Sequence, residues 1–223
     1  ISNFQKEKYF NVELDCDGIP AVKPKIFDPD EAEQLRSRCQ GSEAIVTAVK
    51  ETEKKVKAPK LYDLTTLQRE ANRIYGMTAK QTLDTAQNLY EKKLITYPRT
   101  DSQYLTEDME QTARNVVRQI YEKYQLTGPF DQPEQPDVKK VMNNSKVTDH
   151  HAIIPTMELS SCHLDELKSW EEKILFLIAV HTVMAMSKEH VYQETEIEVE
   201  CQGEIFKAKG KTVLQDLSLI HIS

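Results

Sequence analysis

Apolar and polar positions change period twice along this chain. Phe10, Val12 and Leu14 alternate with polar residues, and Ile45, Thr47 and Val49 do the same after a short acidic helical stretch that begins near Asp30. Asp17-Gly18 and Gln40-Gly41 supply turns between them. Near the other end, Val191, Gln193, Thr195, Ile197, Val199 and Cys201 alternate again, Gly203 offers a turn, and Ile205-Phe206 opens another strand. Two separated β segments therefore flank a middle whose period is helical.

In that middle, Thr65-x-x-Gln68 has the form of a capping box and Gly76 suits a left-handed C-cap, which brackets a helix over about 66–75. Thr78-x-x-Gln81 repeats the device and opens a second helix, with Leu83, Ala86, Leu89 and Tyr90 as its apolar stripe, ending near Lys93. Two helices joined by a short turn containing Gly form a helix-turn-helix candidate. A third helix is expected from Thr106, with Met109, Ala113, Val116, Val117, Ile120 and Tyr124 on one face and Glu107 and Asp108 in its first turn. Residues 128–149 hold three prolines and little periodicity and are read as an irregular connection, after which a long apolar helix is expected over about 165–187.

Composition fits a soluble protein: 39% hydrophobic and 29% charged residues, with no apolar run near the roughly 18 residues of a membrane span. The expectation is no membrane partner. The first residues, Ile1-Ser2-Asn3-Phe4, have neither an initiator Met nor the layout of an export signal, so the chain is expected to be an internal fragment of a cytoplasmic protein. Cys16, Cys39, Cys162 and Cys201 form no Cys-x-x-Cys pair, and reduced thiols are the simplest reading. The net charge of −7 argues against non-specific nucleic-acid affinity of the whole chain. Between Lys57 and Arg99, however, eight Lys or Arg face four acids, a local +4.

That basic block leads into Tyr97-Pro98-Arg99-Thr100-Asp101-Ser102. A phenol titrates at about 10, so a nucleophilic tyrosine needs a neighbouring cation or a base. If the chain stays extended from Leu94-Ile95 to Asp101, Tyr97, Arg99 and Asp101 share one side, with Pro98 stiffening the backbone. Arg99 then holds a phosphate and Asp101 orients Arg99 or takes a proton, the arrangement phosphoryl transfer needs. The same run is equally well a strand end with a half-buried tyrosine and a surface ion pair. In Asp149-His150-His151-Ala152-Ile153-Ile154-Pro155-Thr156, adjacent histidines on extended backbone face opposite ways, and no acid or Cys cluster at ligand spacing accompanies them. No metal ligands are assigned in this chain. A protonated imidazole on phosphate is the better functional option.

Leu61 to Ala71, Ala86 to Glu91, Leu94 to Ser102 and His150 to Thr156 resemble, in order and spacing, successive signatures of type IA DNA topoisomerases, and the His-His-Ala-Ile-Ile-Pro-Thr form is more similar to topoisomerase III than to topoisomerase I. The resemblance covers residues 1 to about 213. It implies that Tyr97 attacks a phosphodiester of single-stranded DNA, forming a 5′-phosphotyrosyl link and freeing a 3′-hydroxyl, with strand passage and resealing without ATP. The lack of a Gly-rich P-loop in the sequence agrees with that. It further implies that Arg99 supports the attacked phosphate, that Asp101 lies in the active site and that His150 binds phosphate near the scissile bond. Thr65, Gln68, Arg69, Ser102 and His151 are assigned with them to DNA binding. Mg2+ is expected in a domain absent from this chain, which would leave the isolated fragment inactive.

The fold implied is α+β: a mainly α-helical tyrosine domain with a helix-turn-helix-like, winged-helix (CAP-like) core over 58–187, inserted in a β-rich arch domain made of 1–57 and 188–216. Residues 217–223 depart from the family and are expected to be a non-native tail. From another class, a non-enzymatic helix-turn-helix DNA-binding module would make Tyr97 structural. A metal-independent tyrosine recombinase is disfavoured because the histidine pair lies downstream of the tyrosine.

Overall fold

The computed structural model describes residues 7–126 and 136–215. The chain separates into two compact units, one of residues up to Lys55 with Val191–Gln215, the other built on Val56–His190. Among the described residues there are five α-helices and a five-stranded sheet, a mixed α/β architecture. No helix among them is long and apolar enough to cross a membrane.

The first unit is the antiparallel sheet, ordered β1-β2-β5-β4-β3, from strands β1 (Phe10–Cys16), β2 (Ile19–Ile26), β3 (Ile45–Val56), β4 (His190–Cys201) and β5 (Glu204–Gln215). Two-residue turns with positive φ at both positions, Asp17-Gly18 and Gln202-Gly203, close its two hairpins. Such turns match the right-handed twist of the strands they join. β2 pairs with β5 at Val22↔Lys207, so strands from opposite ends of the sequence complete one sheet. Helix α1 (Pro29–Cys39) starts on the Asp28 side chain, which accepts from Asp30 N–H, and buries Ala32, Leu35 and Cys39 against Val12, Ala21, Val199 and Phe206. β2 was not foreseen, because Pro20 and Pro24 lower its strand signal. The alternation of β3 does not mark a buried face: Ile45 and Val49 are 60% and 58% exposed. β3 is an edge strand, and its Lys50, Lys54 and Lys55 are the kind of charge that guards an open edge.

The second unit holds α2 (Leu64–Tyr75), α3 (Ala79–Glu91), α4 (Glu110–Tyr124) and α5 (Ser169–Ala185). Ile174, Leu175, Ile178 and Ala179 of α5 are fully buried, and they pack with Leu67 and Ala71 of α2, Ala86 and Leu89 of α3, and Val116 and Ile120 of α4. Gly76 adopts φ 67°, the left-handed C-cap expected of it, and Thr78 and Gln81 form the expected reciprocal cap of α3. The first cap differs in register. Asp63, not Thr65, receives the Thr66 N–H at 2.7 Å, and Thr66 returns the bond, so α2 starts at Leu64. Aspartate is the stronger cap because its carboxylate also meets the helix dipole. Thr65 is left exposed in the first turn.

Other boundaries moved for local reasons. A 3-10 turn at Glu107–Met109 precedes α4, and another at Leu164–Glu166 precedes α5, whose start is fixed by Glu171 reaching back to Lys168 N–H at 3.0 Å. Tyr90 is 39% exposed and does not belong to the core stripe. Of the expected irregular connection, 136–149 forms 3-10 turns at Val138–Val141 and Asn144–Lys146, and the rest up to 135 lies outside the described residues, as do residues 217–223. β pairing among the described residues of this unit is confined to three isolated bridges, Tyr62↔Ile153, Ile95↔Pro155 and Leu105↔Met142.

The cap register is testable by equilibrium urea unfolding. Asp63→Ala is expected to lower stability by about 1 kcal/mol, whereas Thr65→Ala, at an exposed helical position, changes it by less than about 0.5 kcal/mol.

Candidate active site around Tyr97

Tyr97 sits where the chain leaves α3. Lys92 ends that helix and Lys93 adopts φ 61°, so that Leu94 N–H turns back onto Leu89 O at 2.9 Å. The turn drives Leu94 and Ile95 into the core, at 5% and 1% exposure. From there residues 94–96 run beside residues 152–156. Thr96 N–H donates to Ile154 O at 3.0 Å and Thr156 N–H to Leu94 O at 3.0 Å. The Thr96 hydroxyl donates to Ala152 O at 2.9 Å and accepts Ile154 N–H at 3.0 Å. The opposite edge of the same segment is held too: Ile153 N–H donates to Tyr62 O at 2.8 Å and Ala152 N–H to Tyr104 O at 2.9 Å. Residues 150–156 thus act as a backbone template between the tyrosine loop and the entry to α2.

This pairing sets His150 beside Tyr97, with ring centroids 4.4 Å apart and planes at 47°. Tyr90, one residue before the end of α3, meets the Tyr97 ring edge-on at 5.3 Å and 74°. Two rings therefore restrict the half-buried phenol. The apolar period assigns Tyr90 to the core stripe and does not show this contact; its position next to the end of α3 is the available signal. His150 is exposed, while His151 uses its Nδ1 on Ala152 O at 2.9 Å.

Beyond Tyr97 the backbone bends at Pro98 and Arg99 and the extension expected through Asp101 is not kept. Thr100 takes over the positioning. Its hydroxyl donates to His150 O at 2.9 Å, its carbonyl accepts Leu64 N–H at 3.0 Å, and both groups are buried. Arg99 and Asp101 are exposed, and neither forms an ion pair with a described residue, so the expected Arg99–Asp101 pair is not made. Arg99 is a cation left open to an anion.

The remaining candidates spread around this loop. Ser102 is 4% exposed, and its hydroxyl donates to Lys146 O at 2.9 Å while accepting Tyr104 N–H, which is a positioning task inside the loop. Gln68 donates to Ala79 O at 3.0 Å and so ties α2 to the start of α3. Arg69 is exposed and lines a cavity of about 310 Å³ with Lys60, Thr66, Glu70 and Gln103. Among the described residues no group of three or more His, Cys, Asp or Glu is arranged to hold a metal ion.

One ion pair braces the turn. Lys92 Nζ donates to Glu171 Oε2 at 2.6 Å, joining the C-terminus of α3 to the first turn of α5. Burial of Glu171, only 3% exposed, pushes its carboxyl pKa up, but the Lys92 ammonium and the Lys168 N–H outweigh it and hold the group below its ordinary 4.5.

A family model described as DNA topoisomerase matches residues 1–216. The chain is 37% identical to "DNA topoisomerase 3" of Bacillus subtilis (strain 168) over 223 residues, 96% of this chain and 30% of that protein. It is 33% identical to "DNA topoisomerase 3" of Staphylococcus saprophyticus over 223 residues, 95% of this chain and 30% of that protein. Among solved structures, full-length topoisomerase I from Thermotoga maritima superposes with a TM-score of 0.68 at 26% identity, over 96% of this chain and 35% of that one. The chain thus spans under a third of the length of these curated relatives.

The Lys92–Glu171 brace carries a pH signature. Because the folded-state pKa of Glu171 lies below 4.5, its contribution is whole above about pH 4.5 and is lost as pH falls through the folded value. Glu171→Gln is expected to lower stability at neutral pH by about 1.5–3 kcal/mol. Thermal melts should also show the variant losing less stability than the parent between neutral pH and pH values below 4.5.

Proposed function

We propose, because this chain belongs to the type IA DNA topoisomerase family, that Tyr97 is the nucleophile of a reversible single-strand DNA break. The observation that carries the reading is the setting of Tyr97, its ring held by Tyr90 and by His150 at 4.4 Å with the unpaired Arg99 on the same loop. The phenol oxygen attacks the phosphorus of a phosphodiester and gives up its proton. The P–O3′ bond breaks, the departing oxygen takes a proton as the 3′-hydroxyl, and a 5′-phosphotyrosyl ester remains. In the reverse step the 3′-hydroxyl attacks the ester and frees Tyr97, so resealing after strand passage needs no ATP.

In this reading Arg99 holds the attacked phosphate, since a guanidinium with no internal partner gives up no ion pair to bind it. His150, exposed and in ring contact with Tyr97, supplies a second donor to the same phosphate, and Asp101 lies at the edge of the site. Thr65, Arg69 and His151 contact the strand, whereas Gln68 and Ser102 act through the backbone they hold. Mg2+ would be held by a domain outside this chain. The described residues offer it no cradle.

The domain reading is that residues 1–57 and 188–216 form one β-rich arch domain into which the helical domain 58–187 is inserted, with α2 and α3 as a helix-turn-helix-like pair. The β2–β5 pairing between the two sequence segments supports it. The expected cytoplasmic location belongs to the same reading. A helix-turn-helix module that only binds DNA is not favoured, because the family match spans the Tyr97 loop as well as the helices.

The test is covalent trapping with a protein of the relatives' full length carrying this chain. Single-stranded DNA labelled at its 3′ end should transfer label to the protein on a denaturing gel, and Tyr97→Phe should abolish the transfer. An adduct retained in Tyr97→Phe would overturn the assignment.

A further inference from the structure

Tyr104 lies on the far side of the template from Thr96. Ala152 joins the two, its carbonyl accepting the Thr96 hydroxyl at 2.9 Å and its N–H donating to Tyr104 O at 2.9 Å. Two ammonium groups share the half-buried Tyr104 ring: Lys146 Nζ is 4.8 Å from its centroid and Lys60 Nζ 5.6 Å. Lys146 Nζ also donates to the phenol oxygen at 3.4 Å, and this bond holds the Tyr104 phenol below its ordinary value.

Like charges brought to one ring repel, and an aromatic face at an exposed site returns only about 0.5–1 kcal/mol per cation. Neither lysine forms an ion pair with a described residue, although the chain has 36 acids and a net charge of −7. Both backbones are pinned. Lys60 O accepts from His181 Nε2 at 2.7 Å, with that imidazole stacked on the buried Tyr62 at 3.7 Å, and Lys146 O accepts the Ser102 hydroxyl. The His181 pKa is lowered by burial, which keeps the ring neutral at neutral pH and suited to this single donation. Lys60 also borders the cavity lined by Arg69, so exposed cations continue past the ring. The cluster is cationic and exposed, a setting that suits an anion.

We propose that Lys60 and Lys146, above Tyr104, seat a phosphodiester of the single strand that Tyr97 attacks, a backbone contact separate from the scissile phosphate. The inference rests on the Tyr97 reading. Tyr104 and Thr96 are hydrogen-bonded to the same Ala152, which ties the seat to the nucleophile loop. Lysine pairs read charge and not base edges, so the contact is independent of sequence.

The test is oligothymidylate binding by the 223-residue chain as a function of salt. Lys60→Ala with Lys146→Ala should weaken binding at low salt and reduce the slope of log K against log salt by about 0.7, the value for one neutralised phosphate on a single strand. Lys60→Arg with Lys146→Arg should keep the slope. Lys173→Ala, which removes an ammonium 4.6 Å from the Trp170 ring and 5.8 Å from Tyr75, should leave it unchanged. Circular dichroism and thermal melting verify that each variant is folded. Normal binding with an unaltered slope in the double alanine variant, or no salt-dependent binding by the parent chain, overturns the seat; the Tyr97 reading fails separately, by an adduct retained in Tyr97→Phe.

Discussion

The tyrosine site depends on one extended segment, residues 150–156, hydrogen-bonded along both edges. On one edge it takes the Thr96 backbone and hydroxyl; on the other it reaches Tyr62 and Tyr104. Neither partner is a regular strand, and Ile95↔Pro155 and Tyr62↔Ile153 are isolated bridges. Buried backbone groups without a ladder need such specific partners, since each unpaired one costs about 1–3 kcal/mol. The same bonds that satisfy the backbone therefore fix which side chains meet. His150 reaches Tyr97 because Thr100 holds its carbonyl and Thr96 holds Ala152 two residues on.

Helix geometry supplies the frame for this template. Leu94 and Ile95 are fixed in the core by the turn after α3, and that turn is braced by Lys92 on the buried Glu171 of α5. A buried carboxylate held by one ammonium and one N–H contributes its stabilisation while ionised, which links the position of the loop to charge. The net charge of −7 conceals this arrangement. Lys60, Arg99 and Lys146 are exposed cations without acidic partners among the described residues.

Features set by a few adjacent residues were legible in the sequence. Gly76 could end a helix through its positive φ, Thr78 and Gln81 could cap the next, and Asp17-Gly18 could close a hairpin, because each depends on local backbone chemistry. Asp63 shows the limit, since two overlapping cap patterns start two residues apart and only the fold selects the stronger. Tyr90 was read from its period as core, yet its ring lies against Tyr97, because the helix ends there and the following turn brings the loop back. β2 was hidden by Pro20 and Pro24, and the Lys60–Tyr104–Lys146 cluster by the separation of its members along the chain. Ser102 and Gln68 matched family signatures, but nothing local showed that their polar atoms would be engaged within the protein.

In the proposed reaction, the pairing of residues 94–96 with 150–156 holds Tyr97 in place to attack. Thr96→Val keeps the shape of the side chain and removes both hydroxyl bonds, to Ala152 O and from Ile154 N–H. The direct measurement is the yield of the Tyr97–DNA adduct in a full-length protein bearing this substitution, beside its melting temperature. The expected adduct yield is at least about tenfold lower, matching a loss of roughly 1.4 kcal/mol in positioning, in a protein that remains folded at the assay temperature. An adduct yield equal to that of the parent would show that this pairing does not position Tyr97.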